Sequence, residues 1–349
     1  MVYQREFERR LNVAVVGVGS HAYRNVLPAL HHLPVRLVAM CDVNEALVRA
    51  TAVEYGVNRI YSSAQEMYAS ETLDAVFLCV GPKQHPQLTI EALDAGLHVW
   101  LEKPPAMRAA EVEIMKQHAG DRVVVVGFKK AFMPATNKAC ELIESGQVGQ
   151  LATIMAEYPI RYPEEGAEVL ENGRFTDWLA NGVHPLSLML RVGGPVEAVY
   201  CHRGPHGGGA VVLEYRSGVT GILHLWAWTG YAAASERYSF VGQKGAVIID
   251  NSTRVSLHRG IEFSYGRTTS FAQAGTDSGS VVWEVQNRLA TLENSGLFVQ
   301  GMVHEMNYFC DHVLAGQQPE IGSLDFPHEI MKVYEAVLQS QGERVAVEH

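Results

Sequence analysis

The sequence predicts two joined folds. The first is an α/β unit with a doubly wound parallel sheet; the second is α+β, a mostly antiparallel open sheet with helices on one face. Three observations carry this reading. Apolar runs alternate with helically spaced segments over roughly the first 120 residues, as in parallel α/β units. The first run stops abruptly at a glycine turn. From about residue 150, strand-like runs succeed one another with only short turns between them, the mark of antiparallel pairing.

Residues 11–17, LNVAVVG, form the first strand, followed by RLVAMCD (36–42), DAVFLCVG (74–81), HVWLE (98–102) and RVVVVGF (122–128). Such continuous apolar runs suit strands buried on both faces of a parallel sheet. Helical spacing covers 22–32, 44–55, 85–95 and 109–118, with Asn44 placed to cap the second and Gly96 to stop the third. In the second half, 151–160, 196–202, 210–218, 219–228, 237–243 and 245–250 read as strands. Arg216-Ser217-Gly218 and Gln243-Lys244-Gly245 are the hairpin loops. On the strand 219–228, Leu223 and Leu225 alternate with Trp226 and Trp228, so one of the two faces is core.

Composition narrows the function classes. A chain of 349 residues can bury two ordinary cores, and 47% hydrophobic with 19% charged residues describes a globular protein. A net charge of −10 argues against nonspecific nucleic-acid binding. The five cysteines, at 41, 79, 140, 201 and 310, are odd in number and lack CxxC spacing, which gives neither a disulfide framework nor a zinc site. The first ten residues are too charged for a signal peptide, and no apolar run approaches a membrane span, so a cytoplasmic protein with no membrane partner is expected.

The chemistry begins at Gly17-Val18-Gly19-Ser20-His21-Ala22, a GxGxxA turn with a strand before it and a helix after it. Gly17 permits the tight turn, Gly19 lets the backbone approach a pyrophosphate, and Ala22 allows close helix–strand packing. The helix N-terminus adds N–H groups and partial positive charge. Asp42, 25 residues after Gly17, ends the second strand, where a carboxylate accepts from ribose hydroxyls and repels a 2′-phosphate. NAD is therefore expected as cofactor in preference to NADP.

Four motifs in order resemble the Gfo/Idh/MocA oxidoreductases. They are GVGSHA; VGPKQHPQLTIEALDAGLHVWLEKP (80–104); VGFKKAFMP (126–134); and FVQGMVHEMNYFCDHVLAGQQPEIG (298–322), which is followed by a helix through 339. Lys129 stands where asparagine is common in the family. The resemblance covers nearly the whole chain and implies a Rossmann domain over 1–126 and a substrate-binding and oligomerisation domain over 127–349. It implies hydride transfer between NAD and a hydroxyl or ketone of a sugar, polyol or related compound, with no metal, in a homodimer or homotetramer.

By position, the resemblance gives Lys103 of Glu-Lys-Pro a place facing nicotinamide and substrate, where a cation stabilises alkoxide character on the reacting oxygen. It adds Ser20, His21, Val80, His85 and Glu102 to the cofactor site. It points to His184, in FTDWLANGVHPLSLML (175–190), as the proton-transfer residue. The aspartate often found one turn earlier is Ala180 here, and the acid often found three residues later is Ser187. Asp177, two turns before His184, can substitute only if the backbone bends. A buried structural histidine is the alternative for His184. Lys129, Arg161 and Trp178, with Lys130, Tyr162 and Arg174, come from segments the fold brings toward the cleft; if several of these cations converge, an acidic sugar or a phosphorylated ligand is favoured, and the alternative for each is a solvated charged surface. A dinucleotide-binding regulatory or scaffold protein is the alternative to an enzyme.

Overall fold

The computed structural model describes residues 7–227, 236–261, 277, 279–285 and 295–348. Strands β1 (Leu11–Val16), β2 (Val35–Cys41), β3 (Arg59–Tyr61), β4 (Ala75–Leu78), β5 (His98–Glu102) and β6 (Val124–Gly127) form one sheet in the order 3-2-1-4-5-6. Every pairing in it is parallel. The order reverses between β1 and β4, which opens a crevice at the carboxyl ends of those strands. Strand β3 was not among the expected runs. It has three residues, none of them fully buried, and carries no apolar pattern to read.

The first crossover starts with a π-helical turn, Ala22–Val26, that runs into α1 (Leu27–Leu30). The others use α2 (Glu45–Glu54), α3 (Ala64–Ser70), α4 (His85–Asp94) and α5 (Ala109–Ala119). Asn44 caps α2 as expected, its side chain accepting from Leu47 N at 3.1 Å. Gly96, at φ +80°, turns the chain out of α4. Short helices α6 (Lys129–Phe132) and α7 (Pro134–Glu144) lead away from β6.

The second sheet contains β7 (Leu151–Tyr158), β8 (Val196–Arg203), β9 (Gly209–Tyr215), β10 (Thr220–Leu225), β11 (Arg237–Gly242), β12 (Gly245–Asp250), β13 (Arg254–Arg259), β14 (Val281–Glu284) and β15 (Val345–Ala346). Their order is 14-13-12-11-7-10-9-8-15. All neighbours pair antiparallel except β7 with β10, which are parallel. The expected strand 219–228 ends at Leu225, and Trp228 lies outside the described residues. Leu223 and Leu225 are buried, so theirs is the core face.

One face of this sheet buries Ile154, Ala156, Leu213, Tyr238, Phe240, Val247 and Ile249. Against it lie α7, α9 (Val183–Gly193) and α12 (Asp325–Gln339), with α8 (Gly166–Glu171) packed on α12. The opposite face leaves Met155 and Val241 exposed. Late in the chain, α10 (Ser295–Val299) and α11 (Met302–Ala315) return to the first sheet. There Phe309 meets Phe77 edge-on with ring centroids 5.7 Å apart, beside Trp100. A division at 126/127 falls inside β6, since Gly127 still pairs with Glu102 of β5, and the first core also takes Met302, Val303, Met306, Phe309 and Cys310 from the far end of the sequence.

Candidate active site

The carboxyl ends of β1, β2, β4 and β5 bring Gly17, Asp42, Val80 and Lys103 to one edge of the parallel sheet. Gly17 sits at φ +86°, and a Cβ there would lie 2.3 Å from the Cys79 carbonyl oxygen and 2.9 Å from Val80 Cγ1. Only glycine satisfies both the angle and the space. Gly19 is different: a Cβ there meets nothing within 4 Å, so the loop is open where a pyrophosphate can approach. Ser20 and His21 are exposed at the start of the helical segment, and Ala22 is buried. Asp42 holds this loop, accepting from Val18 N and Asn44 N, both at 2.9 Å. Each carboxylate oxygen keeps a second acceptor site for a ribose hydroxyl.

At the end of β5, Glu102 is buried. Its Oε1 meets His21 Nε2 at 2.8 Å and its Oε2 accepts from the Lys103 backbone at 2.9 Å. The Lys103–Pro104 peptide is cis. His85, expected to touch cofactor, is fully buried instead, with Nδ1 at 2.8 Å from the Pro104 carbonyl. Burial lowers its pKa to about 4, so the ring is neutral and donates to that carbonyl. Its side chain supports the Glu-Lys-Pro tip from beneath and reaches no cofactor surface.

Lys103 Nζ donates to the Ala180 carbonyl at 2.9 Å. Ala180 lies in a π-helical turn, Trp178–Gly182, that leads directly into α9. Pro185 has no N–H and cannot donate back to that carbonyl across a π-type turn, and the lysine does so from the other domain. His184 follows one turn later, buried, with Nδ1 lacking a protein partner. Burial pushes its pKa well below the usual histidine value, and Lys103, Lys129, Lys130 and His21 push the same way, so the imidazole is neutral at pH 7. Asp177 does not take up the role of the missing aspartate. Its oxygens accept from Arg161 N at 3.0 Å and from Asn181 Nδ2 at 2.6 Å. Ser187 donates to the His184 carbonyl at 2.7 Å and is likewise no substitute acid.

A cleft of about 520 Å³ opens beside His184, lined by Lys129, Lys130, Tyr158, Asn181, Glu236 and Ser252 among others. Lys130, nearly buried, is ion-paired with Glu236, and Ser252 Oγ bonds to both groups. Lys129 Nζ donates to Gln300 Oε1 at 2.6 Å. Burial and the neighbouring Lys130 lower its pKa. Beneath it, Glu305 on α11 is fully buried, its oxygens without a protein partner and Oε1 3.2 Å from where a Cβ at Gly127 would lie. Burial, with Glu102 nearby, raises the Glu305 pKa well above the usual carboxyl range.

Two substrate-side expectations change. Trp178 is fully buried, met edge-on by Tyr162 and stacked on Tyr334 at centroid distances of 5.5 and 6.4 Å, so its ring is core and reaches no ligand. Arg161 is exposed and lines an adjoining cleft with Thr176 and Asp177, on the far side of the Asp177–Asn181 hydrogen bond. Tyr162 is buried, its hydroxyl donating to Val337 O at 2.6 Å, and Arg174 stays on the surface. Glu236, Ser252, Gln300 and Glu305 were not foreseen. The last two lie inside the 298–322 motif, which carried a signal for them; the first two lie beside turns of the second sheet and carried none. Among the described residues, no cluster of acids, histidines and cysteines can hold a metal ion, and no helix is long and apolar enough to cross a membrane.

Comparison with known proteins agrees with this geometry. Residues 11–130 match the model described as an oxidoreductase family with an NAD-binding Rossmann fold, and 136–248 match the GFO/IDH/MocA C-terminal domain. The chain is 26% identical over 231 residues to a myo-inositol 2-dehydrogenase of Thermotoga maritima, covering 62% of this chain and 68% of that one. It is 25% identical to an inositol 2-dehydrogenase of Corynebacterium glutamicum, covering 75% of this chain and 80% of the other. An Agrobacterium radiobacter oxidoreductase, solved with NAD+, L-tartaric acid and magnesium, shares the fold at a TM-score of 0.80 and 16% identity, over 97% of this chain and 98% of that one. With family models covering the first sheet and most of the second, and with the glycine loop, Asp42 and the Glu-Lys-Pro tip at one edge, the chain belongs to the Gfo/Idh/MocA oxidoreductase family.

Proposed function

We propose that the protein is an NAD-dependent dehydrogenase or reductase that interconverts a hydroxyl and a ketone on a carbohydrate or polyol. The observation that carries this reading is the meeting of Lys103 with the turn that leads into the helix of His184, beside the cleft that His184 lines and at the edge where Gly17 and Asp42 stand. NAD, when bound, supplies the acceptor for the hydride. Gly17 to Ala22 present backbone N–H groups to its pyrophosphate, Asp42 takes the ribose hydroxyls, and Val80 and Glu102 flank the path to Lys103.

Lys103 holds the reacting oxygen and stabilises negative charge on it as the C–H bond breaks. The neutral His184 takes the hydroxyl proton. Once charged, the imidazolium is disfavoured by burial and by the surrounding lysines, and it releases that proton to solvent. In the reductive direction the same groups act in reverse. In this reading residues 1–126 hold the cofactor. Residues 127–349 hold substrate and form a homodimer or homotetramer through the open face of the second sheet, where Met155 and Val241 are exposed.

The test is a turnover screen with sugars, polyols, sugar acids and the matching ketones, read at the NADH absorbance, with NADPH titrated beside NADH. Turnover with tighter binding of NADH supports the reading. Tighter binding of NADPH contradicts the role of Asp42. Confirmed NADH binding without turnover moves weight to an unusual substrate or to a regulatory or scaffold role, with Ala180 in place of the usual aspartate the first suspect.

A further inference from the structure

The cations around His184 are not all balanced. Lys130 has a carboxylate, Glu236, in direct contact, and Ser252 closes that pair. Lys103 follows Glu102 in sequence, the Glu102 carboxylate accepts the Lys103 backbone N–H, and the Lys103 ammonium rests on a backbone carbonyl. Among the described residues Lys129, like Lys103, has no carboxylate in direct contact with its ammonium, but unlike Lys103 it stands on the cleft wall. It lines the same cleft as His184, and its ammonium donates to the neutral amide of Gln300. Among the described residues no carboxylate forms an ion pair with it. The nearest candidate from beneath, Glu305, is sealed in the interior with no bond to Lys129, and burial pushes its pKa upward, toward the neutral form. Glu102, the other acid acting on Lys129, is already engaged by His21 and Lys103.

A half-buried ammonium on a cleft wall that also holds Lys130 carries an electrostatic cost that no ion pair among the described residues offsets. Burial and Lys130 both depress its pKa, the direction expected of a cation awaiting an anion. Gln300 sits in a short connection between α10 and α11 and can turn its amide N–H₂ toward the same ligand, because an amide offers either end.

We propose that the substrate of this cleft carries an anionic group, a carboxylate or a phosphate, that seats on the Lys129 ammonium beside Gln300 while its reacting carbon faces Lys103 and His184. The inference rests on the dehydrogenase reading and narrows it from sugars and polyols in general to sugar acids or sugar phosphates.

The test uses the intact protein loaded with NADH or NAD and a panel of aldonates, uronates and sugar phosphates, each paired with its neutral sugar or polyol. Calorimetric binding and turnover are both measured, for wild type, Lys129→Gln and Lys129→Arg. The acidic member of a pair is favoured over the neutral one by about tenfold or more, the size of one charge-assisted hydrogen bond, and added salt erodes the preference. Lys129→Gln collapses that ratio, and Lys129→Arg retains most of it. Which arm responds, carboxylate or phosphate, identifies the group. Lys129-dependent binding of acids without turnover leaves this inference standing and removes the dehydrogenase reading. Turnover of neutral sugars with no preference for acids does the reverse. A preference that survives in Lys129→Gln, or no anion binding across the panel, overturns the proposal.

Discussion

Lys103 reaches the carbonyl of Ala180, one turn before His184, so a hydrogen bond between the two halves of the chain links the lysine directly to the segment that carries the histidine. His184→Gln removes the proton acceptor, and kcat is expected to fall by about 10²- to 10⁴-fold. Because burial and the lysines depress its pKa, the acid limb of the kcat/KM profile is expected below pH 6.5, the ordinary histidine value. A limb at or above 6.5 contradicts a neutral, depressed His184. Glu305 gives the opposite sign. Its folded pKa is raised, so its contribution to stability is complete below the unfolded value near 4.5 and is lost as pH rises toward the folded value. Glu305→Gln mimics the protonated acid, and its Tm relative to wild type is expected to increase as pH climbs above 4.5; a constant difference across that range contradicts a buried neutral carboxyl. The sequence made His184 and Lys103 legible because motif order placed them. It misplaced Trp178 because an aromatic residue before a helix shows no facing until Tyr162 and Tyr334 close on it from distant segments. Glu305 fell inside a legible motif, but its isolation was not readable for the same reason: it depends on Gly127 and Trp100 packing from β6 and β5.

The glycine loop allows the cofactor claim to be separated from folding. In Gly17→Ala the new methyl collides with the Cys79 carbonyl, and the left-handed backbone adds about 1–2 kcal/mol of strain, so apo stability and NADH affinity fall together. In Gly19→Ala nothing in the protein is touched, so the apo Tm is expected to stay put while NADH binding weakens. Equal NADH affinity in Gly19→Ala and wild type contradicts a pyrophosphate on this loop. The buried parallel strands were legible from their continuous apolar runs. Strand β3 was not, nor was the parallel pairing of β7 with β10, because an edge strand of three residues and a long-range register leave no local pattern. The π-turn at Trp178–Gly182 was equally silent, although it is the element that delivers the Ala180 carbonyl to Lys103.

For the molecule as a whole, the two sheets are not independent beads. Helix α11 sends Met306 and Phe309 back into the first core, and Arg108, which opens α5, pairs with Glu335 on α12 at 2.8 Å. These crossings hold β5 against the turn before α9, and hence Lys103 against His184. The family motifs made this arrangement readable in outline. The charge pattern of the cleft was not, because Glu236 and Ser252 reach Lys130 from separate turns. The central claim is that this joint is a hydride-transfer site, and the most direct measurement is the rate of NADH formation in a single turnover by wild type and Lys103→Met, with NADH affinity measured alongside. The expected result is a fall of about 10²- to 10³-fold in the transfer rate with affinity little changed, as for loss of one charge-stabilising donor. Transfer in Lys103→Met as fast as in wild type contradicts the account.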